Sequence, residues 1–209
     1  MGRRLIMNDD KSFGKRVILK ISPNFDSRKL ENKTFENDFN DFTDVYADRI
    51  RGWLICWAQE LNKPEHAGFA ALQLALAFFE GFAVFYYGED SDGKSQVFFG
   101  RGLRLVFSQL DGIPEKQADA ISRKLYRLGR CGLFHIGMVR AGVFLRDGDY
   151  EFEVQFDAAD DVAAIFIDRH KFVRAISTRF EQYVRELRDE SNSERRQCFV
   201  AAWKLVHKQ

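Results

Sequence analysis

A mostly α fold, a helical bundle carrying one β-hairpin, is what this 209-residue sequence predicts. Three observations lead there. Apolar residues recur at three- and four-residue intervals over several long stretches. A run of about twenty apolar residues exceeds the length of an ordinary strand. Strict two-residue alternation occurs in one place, beside an Asp-Gly pair suited to a tight turn. The alternation of strands and helices that would build a parallel sheet is missing.

Residues 1 to about 40 are polar and contain the Asn/Asp-rich stretch NKTFENDFND. Only RVILKIS, Arg16 to Ser22, reads as a short strand, and an extended arm packed by its Phe residues is expected. Residues 41–209 are expected to form one helical-bundle domain. From Phe42 the pattern turns helical, with Val45, Ile50, Trp53, Leu54, Trp57 and Leu61 on one stripe, so both tryptophans are expected in the core. Asn62 and Pro64 punctuate, and an apolar helix follows to about Tyr87. The GEDSDGKS loop, Gly88 to Ser95, separates it from QVFFGRGLRLVFSQL. Ala118, Ile121, Leu125 and Leu128 then mark an amphipathic helix with a basic outer face, and the Gly-rich GRCGLFHIGMVRAG resists reading as one clean helix. VFLRDGDYEFEVQF reads as a hairpin at about 142–156, turning at Asp147-Gly148. Asp160 to Leu187 reads as one long amphipathic helix, and a short helix is expected over SERRQCFVAAWKLV.

Composition narrows the function. Thirty-two basic against 31 acidic residues leave a net charge of +1, so any attraction for nucleic acid must be local. Cys56, Cys131 and Cys198 form neither a metal-type pair nor a disulfide framework, which fits a reducing cytoplasm. Ala67 to Tyr87 has the length of a membrane span but carries Gln73 and Glu80. A carboxylate at a bilayer centre costs roughly 2.5–3.5 kcal/mol, so a core helix is expected and no membrane partner.

GEDSDGKS fits G-x-x-x-x-G-K-[ST], the pattern of a phosphate-cradling loop, which would make the chain a nucleotide hydrolase. Such a loop needs a buried strand before it and a helix after it. Here a long apolar helix precedes it, and Glu89, Asp90 and Asp92 outnumber Lys94. AAIFID, ending at Asp168, could supply a Mg²⁺-binding carboxylate, but it opens the long stripe of the 160–187 helix. A calcium loop fails because Gly88 and Phe99 occupy the outer ligand positions. The loop reads as a solvated connection between helices.

The chemistry-bearing stretch is RCGLFH, in which Arg130 and His135 are separated by four residues just past a basic helix. This R-x4-H pattern in a helical setting resembles the signature of the HEPN superfamily, small helical bundles many of which are metal-independent endoribonucleases. The resemblance spans about Phe42 to Phe180, and the helix bearing Glu80 is similar to one that often carries a single acidic residue in that superfamily. One departure is Cys131, where active members commonly have Asn. The resemblance implies a homodimer with both Arg/His pairs facing one cleft, no metal or cofactor, and a product ending in a cyclic phosphate. An antitoxin or nucleotidyltransferase partner is also in keeping with it. A non-catalytic module of the same type, binding RNA, a nucleotide or a protein, is the alternative.

The residue types suit the chemistry. His135 has an ordinary pKa near neutrality and can act as base or acid on a 2′-hydroxyl. Arg130 offers a permanent charge and a planar fork of donors to a developing phosphorane. Between Arg101 and Arg146 nine basic residues face only Asp111, Glu115 and Asp119. Arg101, Arg104, Arg123, Lys124, Arg127 and Arg140 are therefore the expected RNA-binding residues. Gln73, Glu80 and Tyr87, spaced by seven, define a polar seam on the apolar helix. A lone buried carboxylate needs a partner, and Arg130 is the expected one. His66, His170 and His207 are expected at the surface.

Overall fold

A computed structural model describes residues 18–207; residues 1–17 of the expected arm lie outside the described residues. Residues 18–22 do not form the expected strand. They join a bridge between Lys20 and Asp26, followed by a 3-10 turn, Ser27–Leu30. This segment is docked: Asp48 accepts from Ser22 Oγ at 2.5 Å and from the Asn24 backbone N–H at 2.7 Å.

Helix α1, Phe35–Ile50, starts earlier than its composition suggested. Phe35, Phe39 and Phe42 share one helical face despite the Asn and Asp residues between them. The Phe35 and Phe42 rings stack at 4.0 Å, and Phe42 meets Trp203 edge-on at 5.4 Å. A π turn, Arg51–Ile55, then leads directly into α2, Cys56–Leu61. The wider turn shifts the helical phase. Ile55 and Ala58 face the core, while Trp53 and Trp57 are 50% and 57% exposed, which corrects their expected burial.

Helix α3, Gly68–Tyr87, is the bundle's axis. It touches α2, α4 (Ser95–Val106), α6 (Cys131–Ile136), α7 (Arg169–Arg188) and α8 (Ser193–Val206). The span Glu65–Tyr87 is long and apolar enough to cross a membrane, yet 61% of its most apolar window is buried inside the protein. Contact with α4 is closest at Gly102, where a Cβ would stand 2.0 Å from the Phe79 carbonyl oxygen. Around this crossing the core is built of phenylalanine, with Phe79 edge-on to Phe99 at 5.4 Å and Phe107 stacked on Phe172 at 4.8 Å. The buried Tyr183 hydroxyl donates to the Phe85 carbonyl at 2.8 Å, satisfying the one polar atom its ring brings inside.

The β insertion is a three-stranded sheet in the order β1-β3-β2, from β1 Val143–Leu145, β2 Phe152–Phe156 and β3 Val162–Ile167. The two arms of the expected 142–156 hairpin therefore do not pair with each other. β3 lies between them, parallel to β1 and antiparallel to β2. β3 was expected as the first turns of a long helix. An apolar run of this kind fits a buried strand or a buried helix equally well by periodicity. The chain turns to helix only at Asp168, whose carboxylate caps α7 by accepting from the backbone N–H groups of His170 and Lys171, each at 3.0 Å. Those bonds, with one from Gly148, hold the Asp168 carboxyl below the usual range against the opposing effect of its burial. Its oxygens are committed to backbone, as a cap requires.

Of the minor histidines, His66 and His170 are exposed. His207 is not. It stacks on Trp203 at 4.3 Å, donates from Nδ1 to the Trp203 carbonyl at 3.0 Å and accepts from Arg49 Nη1 at 2.8 Å.

Candidate active site

Arg130 and His135 belong to one helical segment whose phase is interrupted. Helix α5, Glu115–Lys124, widens into a π turn, Leu125–Arg130, and continues as α6. Such turns recur at functional sites because the extra residue re-aims the side chains around it. Gly129 lets the turn settle on α3, since a Cβ there would stand 3.0 Å from Leu76 Cδ1. The next residue, Arg130, is thereby delivered to Glu80.

The Glu80 side chain is 16% exposed and that of Arg130 30%. Glu80 Oε2 accepts from Arg130 Nη2 at 2.9 Å, and its Oε1 accepts from Ser91 Oγ at 3.0 Å. Both carboxylate oxygens of this lone charge in an apolar helix are thus satisfied, as its desolvation demands. The guanidinium carbon of Arg130 lies 5.3 Å from the Tyr126 ring centroid, within cation–π range. Its Nε–H is buried with no acceptor among the described residues. Burial, and next the neighbouring Cys131 thiol, push the Tyr126 phenol above its ordinary range.

His135 stands apart. Five residues along an α-helix advance about 500°, so the two side chains leave the axis roughly 140° apart. Arg130 faces α3, and His135 faces solvent with its ring edge-on to Phe134 at 5.1 Å. Among the described residues His135 shares no hydrogen bond or ion pair with Arg130 or Glu80. One chain therefore joins two of the three expected catalytic residues and leaves the third on the surface.

The expected RNA-binding residues divide in the same way. Arg101 pairs with Glu89 at 2.8 Å and stacks over Tyr87 at 5.0 Å, and Arg104 pairs with Asp119 at 2.7 Å. Lys124 donates to the carbonyls of Val162 and Ala163 and ties α5 to β3. Arg123, Arg127 and Arg140 are exposed, without a side-chain hydrogen bond or ion pair among the described residues. Arg123 and Arg127 border a cleft of about 450 Å³ whose wall includes Leu128, Val162 and Asp161. The Arg140 backbone N–H donates to the Leu128 carbonyl at 3.0 Å, so the main chain of this third arginine is tied to the same segment.

The seam on α3 is only partly as expected. Gln73 and Tyr87 face solvent, and Glu80 alone is enclosed. GEDSDGKS follows a helix and not a strand, so the flank a phosphate loop requires is missing. The loop instead supplies Ser91 to Glu80. Among the described residues no three His, Cys, Asp or Glu side chains are gathered to hold a metal ion. Sequence reasoning missed Ser91, Tyr126 and Phe134. For Ser91 a signal existed, as a serine one short turn beyond the helix that carries the unpaired carboxylate. Compared with known proteins, the chain matches no family model, no curated sequence and no solved structure, and the site stands on its own geometry.

Proposed function

We propose that this chain is a HEPN-like domain acting on RNA, a metal-independent endoribonuclease that works as a homodimer. The observation that carries the reading is the Glu80–Arg130 pair at 2.9 Å, set in a π turn five residues before an exposed histidine. In this reading His135 takes the proton of a 2′-hydroxyl, whose oxygen attacks the adjacent phosphorus. A cyclic phosphate forms, and the 5′-oxygen leaves with a proton from the second copy's histidine. Arg130, held by Glu80, which Ser91 holds in turn, offers its remaining donors to the phosphorane oxygens. Arg123, Arg127 and Arg140 hold the flanking phosphates.

A second reading, a module that binds RNA without cutting it, is favoured by one observation: Arg130 is committed to Glu80, while His135 faces away from both. Labelled RNA incubated with chelator and either wild type or His135→Ala separates the two. Cleavage by wild type alone supports the enzyme, and binding without cleavage by wild type supports the module.

A further inference from the structure

Phe134 is 69% exposed, more than any other large apolar side chain among the described residues. It is held with its ring against that of His135, 5.1 Å away and nearly perpendicular at 88°. The chain that follows folds back over this turn. Met138, itself 64% exposed, brings its carbonyl to 2.7 Å from where a Cβ on Gly132 would stand, and Arg140 is fixed to Leu128 by its backbone N–H. No Asp or Glu occurs between Asp119 and Asp147. The exposed ring therefore lies in a stretch of chain whose unpaired charges, Arg123, Arg127 and Arg140, are all positive.

We propose that Phe134 is a stacking platform for an unpaired nucleobase, and that the RNA taken by this site is single-stranded where it meets His135. This deepens the RNA reading above and rests on it. A flat exposed ring in contact with the histidine, in a stretch of chain whose unpaired charges are positive, suits a polyanion whose uncharged faces must be covered, since bases stack on aromatic side chains while the backbone follows the positive groups. A duplex hides those faces. Charge favours RNA as the occupant: a polyanion neutralises the unpaired guanidinium groups of this segment, including where the two copies' histidines would meet. Stacking there would also set the neighbouring ribose close to the histidine next in sequence.

The test uses the full chain and a single-stranded RNA carrying 2-aminopurine, with 2′-O-methyl riboses to prevent cleavage. Wild type is expected to quench the base on binding. Phe134→Ala, at a position exposed enough to leave the fold intact, should lose the quenching and bind roughly five-fold or more weakly. Phe134→Trp should retain both, and a fully paired duplex should bind wild type and Phe134→Ala alike. Equal affinity and quenching by wild type and Phe134→Ala would overturn the inference while leaving the RNA reading intact. A change from dimer to monomer on sedimentation, with RNA binding unaltered, would overturn it too and make Phe134 a subunit contact. No RNA binding by wild type would overturn the underlying reading as well.

Discussion

Glu80 is the only charged residue in the twenty of α3, and its energetics follow from that isolation. Glu80→Gln keeps the shape but leaves Arg130 half-buried without a counter-charge. It should cost about 1–3 kcal/mol by urea denaturation, with Ser91→Ala costing less because a neutral donor is lost. If the two act through one another, the double variant will lose less than the sum. This pairing was legible because a lone carboxylate in an apolar helix requires a partner, and Arg130 is the arginine of the R-x4-H stretch. The outward aim of His135 was not, because the Gly-rich stretch did not read as one clean helix; once it is helical, five residues of spacing turn His135 away from Arg130.

His207 offers a pH test at the same scale. Burial, with the Arg49 charge adding to it, lowers its pKa below the ordinary 6.5. The folded state therefore binds fewer protons than the unfolded state as pH falls through and below 6.5, and stability declines there while being fully present above. Wild type should lose more stability than His207→Gln between pH 7.5 and pH 5.5, because glutamine can still accept from Arg49 without titrating. Equal losses would mean that another group governs the acid limb.

At the scale of elements, the helices were readable wherever apolar residues held a steady period, and α8 falls where SERRQCFVAAWKLV placed it. The misreadings share a physical origin. A π turn adds a residue without marking the composition, and it carried Trp53 and Trp57 from the expected core to the surface. Val162–Ile167 is an apolar run that a strand or a helix could use, and what decides is the pairing available from β1 and β2. The crossing of α3 and α4 is fixed by backbone contact, so Gly102→Ala should destabilise at the upper end of the ~1–3 kcal/mol typical of overpacking. The obstacle is the Phe79 carbonyl, which cannot rotate aside. A thermal melt of Gly102→Ala beside the exposed Gly81→Ala, where a Cβ meets nothing within 4 Å, measures the difference.

For the whole molecule, a net charge of +1 gives no global pull on a polyanion, so the proposed affinity for RNA would have to come from the α5–α6 edge. Binding should weaken with salt, and each of Arg123→Ala and Arg127→Ala should lower the slope of log K against log salt by about 0.7, the single-strand value per phosphate. Arg101→Ala and Arg104→Ala, whose charges are already paired within the fold, should change it less. The central claim is that the Arg130–His135 segment cuts RNA by 2′-hydroxyl attack without metal. Its most direct test is cleavage of labelled single-stranded RNA by the purified full chain in chelator, with His135→Ala in parallel. The account predicts products ending in a cyclic phosphate from wild type, and none from His135→Ala at undiminished RNA affinity. Equal cleavage by both proteins, or RNA bound but left intact by wild type, would contradict it.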